Sequence, residues 1–426
     1  MMTTSNITRE PLGWWLRDDA RFKHVKRPYD TDTVKRLRGS VKIEYTLAKN
    51  GAEKLWDKLH TNKYVRALGA LTGNQAMQQA KAGLDSVYLS GWQVAGDAND
   101  SLQMYPDQSL YAVGSVPTIV KRINNTFQRA DQIQTMEGRE GEIDYFLPIV
   151  ADAESGFGGV LNTHELVKAL IEAGAGGIHL EDQLASAKKC GHMGGKVLVS
   201  TQNMVDKLIA ARLAADIMDV PTIIIARTDS LSGALLQNDD DMRDHKFMTG
   251  ERTREGFYRV KSGMDQAVAR GLEYGQYCDL LWMETGNPDI GECREFCQDI
   301  KSVYPNMKFA YNCSPSFNWK AKLSDSEIRN FQDELSELDV KYQFITLAGF
   351  HSLNYSMFDL SEKYRDTAMS AFVELQEKEF EAQKRGFTAV KHQREVGASY
   401  FDEIAQVCTG SAELGAIKGS TEEEQF

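Results

Sequence analysis

The sequence lacks any apolar run approaching the roughly 20 residues needed to cross a bilayer, which argues against a membrane-spanning protein. Its first 26 residues mix polar and charged side chains without the apolar core of a secretory signal, so a cytoplasmic location is expected. Basic charge is also short: 49 Lys and Arg stand against 61 Asp and Glu, a net charge of −12. That balance argues against nucleic acid or an anionic membrane as the main partner, since both need basic patches. Cysteine is scarce, with six residues (190, 278, 293, 297, 313 and 408) spread along the chain without disulfide-framework spacing. Cys293 and Cys297 lie one helical turn apart, but no Cys or His cluster follows to complete a zinc site. They are expected to be reduced and partly buried. No Gly-x-Gly-x-x-Gly follows the first strand-like run, which removes the main support for an open dinucleotide-binding sheet.

What is present is a recurring texture. Eight short apolar segments, at residues 67–71, 86–90, 145–152, 177–181, 222–227, 280–284, 308–312 and 342–346, alternate with helix-like sequence. Continuous apolar runs without alternation are what strands buried on both faces look like, as in a parallel sheet. Spacers at 162–174, 201–220, 263–274, 289–303 and 325–338 read as helices. Eight such repeats predict an α/β fold, a (β/α)8 barrel of the TIM type. The expected organisation is an N-terminal helical segment (1–60), a catalytic barrel (61–355), and extra C-terminal helices with a polar, acidic tail (356–426). Helices left over after barrel closure usually pack on a neighbouring subunit, so an oligomer is expected. Residues 92–139 and 230–261 are too long for plain connections and read as loops near the active site.

Barrel enzymes draw their catalytic groups from the C-terminal ends of strands. Here those ends supply Ser90, Asp152, Glu181, Arg227, Glu284, Asn312 and Thr346. One acid at a strand end suits a helix cap or a solvated turn. Several charged groups converging on one mouth would repel unless a cation intervened. Asp152, Glu154, Glu181 and Asp107 are oxygen ligands with no clustered Cys or His beside them, a set suited to Mg²⁺ or Mn²⁺. Arg227, His192, Asn312, Ser314 and Ser316 read as clamps for substrate carboxylates. The two serines flanking Pro315 would serve equally as turn residues. Ser90, Gly91 and Trp92 offer a hydroxyl, a close-approach backbone and an aromatic wall.

Residues 188–196 read Lys-Lys-Cys-Gly-His-Met-Gly-Gly-Lys. The lysines beside Cys190 favour its thiolate, and the proline-free, glycine-rich segment reads as a mobile loop that carries the thiol onto a substrate. An unpaired cysteine in a solvent loop is the plainer reading of the same nine residues. A metal holding a hydroxy acid beside an acid/base cysteine suits a metal-assisted retro-aldol (retro-Claisen) carbon–carbon cleavage. An acyl-forming cysteine nucleophile is the competing use.

Residues 188–196 resemble the signature of the isocitrate lyase family. So do Leu68 to Asn74, Tyr88 to Val94, Thr249 to Thr253 and Gly349 to Asn354, and the resemblance runs from about Trp14 to Phe426. Met193 stands where a Leu is common in relatives. The resemblance implies a homotetramer of α/β barrels with exchanged helices, Mg²⁺ on Asp152, and a mobile loop bearing the proton-transferring Cys190. It implies substrate contacts at Ser90, Gly91, Trp92, Gly191, His192, Arg227, Asn312, Ser314, Ser316 and Thr346; Glu284 and Tyr88 read as partners in proton traffic, with the group that takes the C2 hydroxyl proton left open by the sequence. It also implies that the C-terminal tail folds over the closed loop. The activity implied is cleavage of isocitrate to succinate and glyoxylate, as in the glyoxylate bypass. Alternatives are a sister lyase acting on 2-methylisocitrate and a catalytically silent tricarboxylate-binding barrel.

Overall fold

The structure, a computed structural model, describes residues 20–426. Part of the expected N-terminal helical segment, residues 1–19, lies outside the described residues. Eight parallel strands close a barrel: β1 (Val65–Gly69), β2 (Ser86–Leu89), β3 (Ile149–Asp152), β4 (Gly177–Glu181), β5 (Ile223–Thr228), β6 (Leu280–Met283), β7 (Lys308–Asn312) and β8 (Val340–Ile345). Each pairs with its neighbours in chain order, and β1 closes on β8 with Val65 opposite Tyr342. All eight expected strands are present, shifted by a few residues at most. The five expected helices are Val160–Ala173, Thr201–Met218, Met264–Tyr274, Ile290–Val303 and Asp325–Glu337. Three of them start at a capping side chain. Ser200 accepts from Asn203 N, Asp289 from Gly291 N and Glu292 N, and Ser324 from Glu327 N.

Two apolar masses hold the barrel. The larger lies between strands and surrounding helices; the smaller fills the interior with Val65, Tyr88, Val150, Ile225, Trp282, Tyr342 and Phe344. Leu55 and Leu59 of the helix Thr46–Thr61 belong to that interior cluster. The N-terminal helical segment therefore closes the bottom of the barrel and shares its core.

Three stretches differ from expectation. Residues 92–139 are mostly helical: Gly91–Asp97 and the 22-residue Ser115–Met136, whose buried Val116, Ile119, Ile123 and Phe127 pack on the barrel. Residues 230–261 contribute three short strands, Leu235–Leu236, Met248–Arg252 and Tyr258–Val260, which join Val197–Leu198 in a separate four-stranded sheet. The extra C-terminal helices begin with a pair, Ala348–Thr367 and Met369–Gln383, broken at Ala368 with φ 50°. The first of them runs through the expected boundary at 355. Along these two helices only Gly349 and Ala371 are buried, while Tyr355, Met357, Phe358, Tyr364 and Phe372 are exposed.

The tail does not reach the Cys190 loop of its own chain. Ser420 caps the helix Thr421–Gln425, and the buried Glu422 carboxylate accepts from Gln393 N at 2.7 Å and Arg394 N at 2.9 Å. All six cysteines are free thiols, with Cys293 and Cys297 buried as expected. Among the described residues no helix is long and apolar enough to cross a membrane.

Candidate active site at the barrel mouth

The C-terminal ends of β2 to β6 deliver a continuous charged network. Asp152 ends β3, and its carboxylate accepts from Gly91 N at 2.9 Å and Glu154 N at 2.8 Å. A Cβ on Gly91 would lie 2.7 Å from Asp152 Oδ2 and 2.6 Å from Glu154 Oε1, so only glycine lets the two carboxylates press against this backbone. Glu154 accepts from Ser109 Oγ at 3.1 Å and from the Tyr111 hydroxyl. In a strand, residues two apart share a face. Arg227 and Asp229 use that spacing: Arg227 Nε and Nη2 donate to the two Asp229 oxygens at 2.9 and 3.1 Å. Arg227 Nη1 also lies 3.3 Å from Glu181 Oε2, and its guanidinium sits 4.5 Å over the Trp282 ring.

Residues 188–196 lie folded onto this mouth. Gly191 is the point of closest approach: a Cβ there would meet Arg227 Nη2 at 2.4 Å and Glu284 Oε1 at 2.6 Å. Lys196 Nζ ties the loop down, donating to Gly191 O at 2.8 Å and Asp229 Oδ1 at 2.9 Å. Gln183 fastens the other end, exchanging hydrogen bonds with Lys189 O at 2.8 Å and Lys189 N at 3.0 Å. Its amide also donates to Glu181 at 3.2 Å. His192 stands edge-on to Phe317, with Nε2 3.4 Å from Glu284 Oε1. His192 Nε2, Glu284 Oε2 and Asn312 Oδ1 are buried without a hydrogen-bond partner. Three unpartnered polar atoms around one mouth are what a site looks like when its ligand would complete them.

The electrostatics correct one expectation. Lys188 lowers the Cys190 thiol only weakly against its burial, and its buried ammonium pairs with the carboxylates of Asp107 and Glu154. Burial, with Asp107 adding, pushes the Cys190 thiol up to about 12. The cysteine is thus held as a thiol chiefly by its burial, which the lysine that the linear sequence places beside it does not offset. The expected metal ligands also stand differently from a single set. Asp107 and Glu154 share Lys188, Glu181 faces Arg227, and among the described residues no three Asp, Glu, His or Cys side chains gather as a metal-holding group. Compensation is nevertheless incomplete. Burial raises Asp107 to about 7 despite Lys188, with Glu154 adding, and burial plus Glu154 raises Asp152 to about 6. An all-oxygen cradle short of positive charge fits a hard divalent cation.

The remaining expected residues fall into place unevenly. Asn312 and Ser314 are buried beside β7, but Ser314 Oγ accepts from Ser316 N at 3.0 Å, the turn chemistry that Pro315 suggested, and Ser316 is exposed. Ser90 Oγ accepts from Gln93 N at 3.3 Å and so caps the helix Gly91–Asp97. Trp92 is half-buried against Phe350, with ring centroids 4.8 Å apart. Thr346, half-buried, follows β8. Tyr88 points into the barrel, its hydroxyl 2.7 Å from His179 Nε2. Burial, with Asp152 adding, holds that hydroxyl well above the ordinary tyrosine range. Sequence reasoning missed His179, Gln183, Lys196 and Asp229. Two-residue spacing from Glu181 and Arg227 could have found His179 and Asp229, and Lys196 ends the 188–196 signature; nothing local marks Gln183.

The barrel is shared with carbon–carbon lyases and mutases. A 2,3-dimethylmalate lyase, described as a member of the PEP mutase/isocitrate lyase superfamily, matches 87% of this chain and 98% of its own with a TM-score of 0.59 at 20% identity. A phosphoenolpyruvate phosphomutase from Streptomyces platensis gives a TM-score of 0.54 at 17% identity, over 85% and 100% of the two chains. These are likenesses of fold. At the level of sequence, the model of the isocitrate lyase family matches residues 9–252 and 249–426. The isocitrate lyase of Halalkalibacterium halodurans is 58% identical over 98% of both chains. Isocitrate lyase 1 of Mycobacterium tuberculosis is 58% identical over 95% of both. Isocitrate lyase of Escherichia coli is 56% identical over 95% of this chain and 96% of its own. The chain belongs to the isocitrate lyase family, and it is a carbon–carbon lyase.

Proposed function

We propose that this protein cleaves isocitrate between C2 and C3, releasing glyoxylate and succinate. The observation that carries the reading is the Cys190 loop seated on Arg227 and Glu284, with Gly191 the only residue type that fits there. Arg227, preset by Asp229 and Glu181, binds the carboxylate of the glyoxylate-forming end. Asn312, Ser314, Ser316, Thr346 and His192 hold the carboxylates of the succinate-forming end, and Ser90, Gly91, Trp92 and Gly191 complete the wall.

Asp152 would hold a divalent cation, Mg²⁺ or Mn²⁺, directly, with Asp107, Glu154 and Glu181 around it through water. When bound, that ion supplies the positive charge that orients a hydroxy acid and eases ionisation of its hydroxyl. Glu284, whose Oε2 has no partner, takes the C2 hydroxyl proton. Tyr88, engaged with His179 and held protonated, positions rather than abstracts. As the C2–C3 bond breaks, its electron pair passes to C3 and into the attached carboxylate. The Cys190 thiol then delivers its proton to C3, leaving a thiolate that solvent reprotonates after the loop opens. A thiol raised to about 12 suits a proton donor better than a nucleophile.

The exposed apolar faces of Ala348–Thr367 and Met369–Gln383 support a homo-oligomer, which we assign as a tetramer. The reading also places the protein in the cytoplasm, where its products serve a glyoxylate bypass, and gives it no nucleic-acid or membrane partner. The test is glyoxylate release from isocitrate with Mg²⁺ and with excess chelator, with 2-methylisocitrate run in parallel and pyruvate scored as its product. Metal-dependent glyoxylate with little pyruvate is the expected result. Turnover of the methylated substrate alone would move the activity to the sister lyase, and no product from either would leave a binding barrel.

A further inference from the structure

Beside the barrel mouth lies a cavity of about 420 Å³ whose lining includes Phe157, Gly158, Gly159, Leu184, Ser186 and Lys207. None of the residues expected to touch substrate lines it. Lys207 is the one charged side chain among them, and it is 2% exposed. Its ammonium makes a single hydrogen bond, 2.9 Å to Ser155 O, so two of its three donors lack a protein acceptor. A buried ammonium without a partner carboxylate is costly. Accordingly burial lowers Lys207 to about 8, although Asp182 and Glu181 oppose the shift. Asp182 offers no direct pairing, because Thr228, Arg270 and Tyr274 hold its carboxylate at 2.7 to 3.1 Å.

The rest of the lining carries no opposing charge. Gly158 and Gly159 precede the 14-residue helix Val160–Ala173, whose positive end therefore faces the cavity. Ser186 adds a hydroxyl and Gln237 an amide, and Phe157, Leu184 and Val199 close the apolar wall. We propose that this cavity is a binding site for a compact oxyanion, a phosphate or a small carboxylate, with Lys207 as its counter-charge. Its wall includes Leu184 to Ser186, the segment that leads directly into the Cys190 loop. An occupant therefore bridges the helix Thr201–Met218 to the root of that loop.

The test reads Lys207 itself, so that oxyanions bound at the barrel mouth do not confuse it. The intact protein is labelled with trace acetic anhydride and Lys207 acetylation is mapped by mass spectrometry. The titrants are inorganic phosphate or acetate, at ionic strength matched with chloride. Labelling of Lys207 is expected to fall about tenfold once the bound oxyanion is tenfold above its dissociation constant. The anion that protects at lower concentration names the class. Ser186→Glu, an exposed position that places a carboxylate at the cavity rim, should leave Lys207 reactive and remove the protection. Labelling unchanged by either anion overturns the proposal, as does protection that persists undiminished in Ser186→Glu.

Discussion

Gly191→Ala isolates the loop's seating from everything else the protein does. Gly191 is not in the left-handed region, so alanine is compatible with its backbone. The new methyl, however, would stand 2.4 Å from Arg227 Nη2 and 2.6 Å from Glu284 Oε1. Arg227 cannot yield cheaply, since Asp229 grips it at 2.9 and 3.1 Å and Glu181 flanks it at 3.3 Å. Either the guanidinium gives up one such bond or the loop lifts away from Lys196. A hydrogen bond to a charged group contributes about 1.5–3 kcal/mol, and each 1.36 kcal/mol is tenfold in rate. The expected loss in kcat/KM for isocitrate is therefore about 10- to 10²-fold. The open loop accommodates the methyl, so thermal stability should hardly change. Trypsin cleavage after Lys188 or Lys189 in the presence of substrate should quicken in parallel. A variant within twofold of the wild type in kcat/KM would refute the seated loop.

Two further outcomes follow from the charge network. Because the folded protein raises the Cys190 thiol to about 12, it stays neutral through the physiological range. At pH 8 its thiolate fraction is about 10⁻⁴, against roughly a quarter for an ordinary cysteine, so iodoacetamide should label it some 10³-fold more slowly. The rate should climb about tenfold per pH unit; labelling as fast as the exposed Cys408 at pH 8 would contradict the assignment. Asp279, buried between Arg21 (3.0 Å) and Arg212 (2.6 Å), is held well below the usual carboxylate range by those cations against the penalty of burial. Its depressed value means its stabilisation is present above about pH 4 and is lost as pH falls below that. Asp279→Asn should cost about 3–5 kcal/mol, read as a lower denaturation midpoint at pH 7, and an unchanged midpoint would count against it.

The barrel was legible because its physics is local. Strands buried on both faces read as short apolar runs, and Thr222 to Arg227, preceded by Pro221 and built on three isoleucines, carries that signal. Their polar last residues then point to one rim whatever the loops do. What escaped reading depends on contacts distant in sequence. Ala368 breaks a helix without Gly or Pro to announce it. Strands of two to five residues, such as Leu235–Leu236, are too short to show a period. Lys188 looks like an activator of its neighbour Cys190 until the fold brings Asp107, 81 residues away, to its ammonium. Burial of the thiol, with Asp107 adding, then reverses the protonation state expected of it and with it the step it performs.

The most direct test is therefore Cys190→Ser, assayed for glyoxylate release from isocitrate with Mg²⁺ while substrate binding is followed by calorimetry. A serine hydroxyl keeps the shape of the loop but is too weak an acid to protonate C3. A positioned general acid contributes about 10²–10⁴-fold. The account predicts a loss of that size in kcat with isocitrate still bound; turnover within a few-fold of the wild type would contradict it.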